Sequence, residues 1–122
     1  MESDKRVTPR NAFFRPVIIR LAGGRTVNGK TSNLSQGGLA LMLAEPLQLN
    51  ITCLVSFDVD FDNRFQKVNI VSQVCNISFS GLEGTRIGLK FLKFDGNSEA
   101  IIKSYLDFIS TPSIDKESSD FK

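Results

Sequence analysis

The sequence contains no histidine, and only two of its 122 residues are cysteine. Without imidazole the usual general base near neutral pH is missing, and with it any Ser-His-Asp or Cys-His nucleophilic arrangement. Histidine-based metal sites are excluded too, and two cysteines as far apart as Cys53 and Cys75 do not make a structural zinc site. No phosphate-binding glycine loop and no dinucleotide-type glycine fingerprint occurs. No apolar run approaches the ~20 residues that a spanning helix needs. The opening segment Met1–Arg6 has no apolar stretch behind its charges, so a secretory signal is not expected. These absences point away from an enzyme, a metalloprotein and direct membrane insertion, and towards a small soluble protein that is by default cytoplasmic.

What is present has the proportions of one globular domain with one modest core: 41% hydrophobic and 23% charged residues. The net charge of +2 conceals an asymmetry. Residues 1–30 carry +5 and residues 31–122 carry −3, so the front of the chain suits an anionic partner, or forms a solvated basic surface. Both cysteines fall in strand-like runs and are expected to be buried and reduced.

Along the chain, residues 1–12 read as a flexible polar arm in which Pro9 keeps Thr8 out of helical conformation. The run FFRPVIIRLA at 13–22 predicts a strand, with Pro16 near its start as an edge strand tolerates. Gly23-Gly24 marks a turn, residues 25–35 a more polar strand, and 39–44 a short apolar one. Ile51, Cys53, Val55, Phe57, Val59 and Phe61 then alternate with Thr52, Leu54, Ser56, Asp58 and Asp60. Such period-two alternation predicts a strand with one buried face. Asp62-Asn63 turns the chain into a long strand at 65–80, and a last strand follows at 86–94.

The period changes after that. Ile101, Ile102, Tyr105, Phe108 and Ile109 form one helical stripe, with Asn97 or Ser98 able to cap its start and Thr111-Pro112 to stop it. Residues 111–122 read as a polar, disordered tail. Six antiparallel strands and one helix predict an all-β domain at 13–110: a closed or nearly closed barrel, with the helix over an open end or an edge.

Three strings bear on chemistry. Asp58-Val59-Asp60-Phe61-Asp62 opens like a calcium loop, but Asn63 and Asn69 stand where that loop needs glycine and a bidentate glutamate. It reads better as the wet face of a hairpin. Arg6-Val7-Thr8-Pro9-Arg10 places two guanidinium groups in a segment that cannot be regular helix, with Cα atoms up to ~13 Å apart. Such forks bind phosphate bidentately, hold O6 and N7 of a guanine, or stack on its face. A solvated arm is the alternative. In Asn33-Leu34-Ser35-Gln36-Gly37-Gly38, strand period turns Asn33 and Ser35 one way and Leu34 towards the core. Gly37 and Gly38 allow positive φ and the close approach of a ligand or another backbone. A plain turn, with Asn and Ser bonding their own backbone, is the competing account.

Together the last two strings resemble the paired signature of PilZ domains: Arg-x-x-x-Arg on an N-terminal arm, then Asp/Asn-x-Ser-x-x-Gly between two early strands. A third likeness is Ile87-Gly88-Leu89-Lys90-Phe91, which is similar to a Gly-x-x-Phe strand late in that family. The resemblance covers residues 5–109. It implies a six-stranded antiparallel barrel with a C-terminal helix, and a receptor for the bacterial messenger cyclic di-GMP. By the same resemblance, Arg6 and Arg10 would grip guanine and phosphate while Asn33 and Ser35 bond a guanine edge. Gly38 would keep the strand end open, with Gly37 and Gly88 beside it. Lys5 bears on whether one ligand or a stacked pair binds, and Lys90 could reach the ligand from the last strand.

The implied ligand is cyclic di-GMP with no further cofactor, and the implied partner is a downstream effector protein that reads the ordering of the arm. Two other readings stay open. One is a PilZ-like barrel serving protein interaction without a nucleotide. The other, a binder of single-stranded DNA or RNA, is disfavoured because the ten Phe and one Tyr mostly fall on core-facing positions.

Overall fold

The computed structural model describes residues 11–79, 81 and 84–110. The described chain forms β1 (Asn11–Ala12), β2 (Pro16–Arg20), β3 (Thr26–Leu34), β4 (Gly38–Leu43), β5 (Thr52–Phe61), β6 (Arg64–Phe79), β7 (Thr85–Phe94) and α1 (Ser98–Ser110). Strands β3-β2-β5-β6-β7-β4 pair antiparallel in that order, and a further β3–β4 pairing closes the six into a barrel. Closure removes the exposed edges that an open sheet would offer to other chains.

Alternation builds the barrel. On β5, Cys53, Val55, Phe57 and Val59 are buried, while the residues between them stay partly exposed. Val17 and Ile19 of β2, Leu39, Leu41 and Leu43 of β4, and Ile87 and Leu89 of β7 complete the interior. The β5–β6 hairpin turns at Asp62 and Asn63, both left-handed at φ 53° and 60°, which short polar side chains tolerate. Asp58 pairs with Lys67 at 3.3 Å and Asp60 with Arg15 at 3.1 Å, so two carboxylates of the calcium-like string hold a cation of β6 and one of the β1–β2 connection instead.

Three expectations need correction. Asn11 and Ala12, expected in the arm, pair with Leu34 and Asn33 of β3. Pro16 does not mark an edge strand, because β2 lies between β3 and β5; the proline is tolerated as the strand's first residue, one position before the β5 register begins. Cys75 is exposed rather than buried. Val68, Ile70, Ser72 and Val74 are the buried residues of this part of β6, so Cys75 falls in the outward phase. It is also the extra residue of a β-bulge, since Val74 pairs with Leu89 and Asn76 with Gly88, and the bulge leaves Asn76 outward beside it.

Between β1 and β2 the chain is pinned by Thr31. Its Oγ1 donates to the Phe13 carbonyl at 2.6 Å and accepts from the Arg15 N–H at 2.8 Å.

The helix packs against β5 and β6. Ile101 and Ile102 are buried, and Tyr105 sits edge-on to both Phe13 and Phe61 with ring centroids 5.5 Å apart. Of the two candidate caps, Asn97 takes the role through its backbone: its carbonyl accepts from Ile101 N at 3.0 Å. Ser98 turns elsewhere, its Oγ accepting the N–H of Asn69 on β6 at 2.9 Å. That bond joins the first turn of the helix to the barrel. No described helix is long and apolar enough to cross a membrane.

Candidate functional site

The end of β3 carries a β-bulge. Thr31 pairs with Leu41 and Asn33 with Ala40, leaving Ser32 as the extra residue. The bulge resets the alternation so that Leu34 is fully buried while Asn33 faces outward. The chain then reverses in a tight turn. Ser35 donates its N–H to the Gly38 carbonyl at 3.0 Å, and its hydroxyl approaches the same oxygen at 3.4 Å. Gly37 accepts the N–H of Phe91 at 2.9 Å, which ties the turn to β7. Ser35 therefore does bond its own turn, as the plainer reading of this string expects.

Beside the turn lies an open concavity of about 510 Å³ on the outer face of the barrel. Asn33, Ser35, Gly37, Gly38, Gly88 and Lys90, all singled out in the sequence, line it together. Lys5, Arg6 and Arg10 lie outside the described residues. The concavity also takes in Cys75, Asn76 and Arg86, which sequence reasoning missed. Arg86 was within reach of that reasoning, since it stands two residues before Gly88 on the same face of a strand. Cys75 was too, since the alternation of Val68, Ile70, Ser72 and Val74 turns it outward. Asn76 was not, because only the bulge leaves it outward beside Cys75.

One polar atom in this wall is out of balance. Asn33 Oδ1 is buried and meets no hydrogen-bond partner among the described residues; Ser32 Oγ, one residue earlier, is in the same state. A buried acceptor left without a donor costs ~1–3 kcal/mol. The wall contains two cations, Arg86 and Lys90, and no described lining residue is acidic. Chemically the concavity suits a flat, anionic ligand that brings hydrogen-bond donors to Asn33.

The glycines act differently from what the string suggested. Neither Gly37 nor Gly38 has positive φ. Gly38 is needed because a Cβ there would run into the carbonyl oxygen of Leu89, so it admits a neighbouring strand rather than a ligand. At Gly88 a Cβ would stand 3.0 Å from Cβ of Asn76, again a contact between strands. Gly37 has open space around it.

The described chain is thus a closed six-stranded barrel with a polar, cation-lined hollow at a strand end. The family model of the PilZ domain matches residues 4–108, and the chain belongs to that family. No curated protein matches it in sequence. Among solved structures it is similar to the Bacillus subtilis inhibitor of motility MotI/DgrA, with 15% identity and a TM-score of 0.74 over 92% of this chain and 54% of that one. It is also similar to Escherichia coli YcgR in complex with c-di-GMP, at 19% identity and a TM-score of 0.72 over 94% of this chain and 50% of that one. The chain thus spans about half the length of these two proteins. Against the PilZ domain of YcgR with c-di-GMP the coverage is 97% and 98%, at 18% identity and a TM-score of 0.63. At these identities the likeness is one of fold.

Proposed function

We propose that this PilZ domain is a receptor for cyclic di-GMP, bound in the concavity beside the Ser35–Gly38 turn. The observation that carries the reading is the unmet acceptor of Asn33, set in a hollow whose described lining has cations and no acid. The amino and ring N–H groups of a guanine supply the donors that Asn33 lacks, and the two phosphates supply the anion. Ser35 stands beside Asn33 for the same edge, and Lys90 is Cα partner to Gly38 across β4 and β7.

The arginine motif is delivered by connectivity. Asn11 is the Cα partner of Leu34, between the two motif residues Asn33 and Ser35. Arg10 is joined directly to Asn11, and Arg6 precedes it by four residues. In the proposed mechanism these two guanidinium groups close over ligand held on the barrel wall, one on phosphate and one on a guanine face. Fixing the arm costs ~1–2 kcal/mol per residue, which the new contacts must exceed. The closed arm is then the surface that a downstream effector protein reads, an order–disorder switch. The domain acts as an adaptor and performs no chemistry on its ligand.

The complexes of YcgR with c-di-GMP support this reading by shared fold. Limited trypsin digestion tests the mechanism, because Lys5, Arg6 and Arg10 are all cleavage points. Saturating cyclic di-GMP is expected to slow cleavage at Arg6 and Arg10 while leaving the barrel intact. Unchanged cleavage at saturation would contradict closure of the arm.

A further inference from the structure

The outward positions of β7 run Arg86, Gly88, Lys90 along one side of the concavity. Extended chain separates the two cations by about 13 Å between Cα atoms. Between them, on the β4 side, the surface is nearly bare. Gly88 has no side chain, its partner on β4 is Ala40, and the partner of Lys90 is Gly38. The wall is therefore a flat floor with a cation at each end.

Lys90 is exposed and free to rotate into solvent, but Arg86 is half-buried. None of the ion pairs among the described residues takes its guanidinium. Its Cα partners, Met42 on β4 and Ser78 on β6, bring no charge. A cation partly withdrawn from water and without a counter-charge among the described residues is placed to gain from a bound anion. Lys90 is level with Gly38 of the turn and Arg86 with Met42, so Arg86 stands at the end of the floor away from the turn.

We propose that Arg86 is a further ligand-binding residue, one that holds a phosphodiester oxygen at the end of the concavity away from the Ser35–Gly38 turn. This rests on the receptor reading above and adds to it an anion contact that belongs to the rigid barrel. Phosphate recognition is then shared between a fixed cation on β7 and the phosphate-binding arginine of the arm.

The test is calorimetric titration of cyclic di-GMP into the full chain, at low and at moderate salt, for wild type, Arg86→Ala, Arg86→Lys and Arg64→Ala. A charge-assisted contact is worth ~1.5–3 kcal/mol, so Arg86→Ala should weaken binding about ten- to a hundredfold. Its affinity should also depend less on salt than that of wild type. Arg86→Lys should recover most of the loss, because a phosphate accepts a point charge where a guanine O6/N7 edge needs the fork. Arg64, exposed at the β5–β6 hairpin, is the control and should bind as wild type. Thermal melts of each variant separate loss of binding from loss of fold.

Wild-type affinity and salt dependence in Arg86→Ala, with binding intact in wild type, would overturn the role of Arg86 alone. Equal weakening in Arg86→Lys and Arg86→Ala would overturn the phosphate assignment. No binding by folded wild type would overturn the receptor reading and this inference with it.

Discussion

Gly38 lies against the carbonyl oxygen of Leu89 so closely that no side chain fits between β4 and β7 at that point. Gly38 is therefore a packing requirement of the wall that frames the concavity. The Gly38→Ala variant must push the two strands apart, and overpacking of this kind costs ~1–3 kcal/mol. Its urea midpoint should fall accordingly. Gly37→Ala meets open space at ordinary φ and should lie within about 0.5 kcal/mol of wild type. Equal stability of the two variants would contradict the packing account of Gly38.

The two thiols should separate cleanly on labelling. Cys53 is 4% exposed, whereas Cys75 faces the concavity, its Sγ 3.4 Å from the carbonyl oxygen of Gly88. Iodoacetamide should modify one thiol per native chain, at Cys75, and both after unfolding. Cyclic di-GMP bound in the concavity should slow the native reaction. Peptide mapping by mass spectrometry reads both results, and undiminished labelling at saturating ligand would place the ligand elsewhere.

Asn69 is a junction between helix and barrel. Its N–H goes to Ser98 Oγ at 2.9 Å, its carbonyl accepts from Asp95 N at 3.0 Å, and its side chain accepts from Ser56 Oγ at 2.6 Å. Ser98→Ala removes the first of these and leaves a backbone N–H short of a partner, at a cost of ~1–3 kcal/mol. The loss should appear in chemical denaturation, with hydrogen exchange at Asn69 accelerated more than at Val55 in the β5 core.

Stability should fall in alkali. Burial pushes the Cys53 thiol from 9.0 up to about 11. The folded state therefore keeps its proton where the unfolded chain has lost it. The contribution is complete below about pH 9 and is lost as pH rises towards 11. Tyr105 adds in the same direction: desolvation raises it, and the nearby Arg15 charge offsets part of that rise. Urea midpoints measured from pH 7 to 11 should decline, and more gently in Cys53→Ala, whose overall stability is lower.

Most elements could be read from residue order because each rests on a local signal. The alternation from Cys53 to Val59 became β5, Asp62-Asn63 became a left-handed two-residue turn, and the Ile101–Ile109 stripe became α1. What escaped was set by contacts distant in sequence. Nothing local says that Asn76 stays outward beside Cys75, since the bulge that puts it there exists only against Leu89 and Gly88. Pro16 looked like an edge signal because ring closure is a property of the whole sheet. Gly38 looked like room for ligand because Leu89, its real neighbour, lies some fifty residues on. In the site, the described motif residues were legible and fall in one hollow. Arg86 could be placed on the outward face with Gly88, but the bare surface of Gly88 and Ala40 beside it forms only where β4 meets β7.

The most direct test of the central claim is titration calorimetry of cyclic di-GMP into the full chain, beside Asn33→Ala and the double variant Arg6→Ala/Arg10→Ala. Micromolar or tighter binding by wild type, at least tenfold weaker in Asn33→Ala and lost in the double variant, is the predicted result. The stoichiometry then separates one ligand from a stacked pair. Absence of binding by a well-folded wild type, or equal affinity in all three proteins, would contradict a cyclic di-GMP receptor and favour a barrel that works through protein contacts alone.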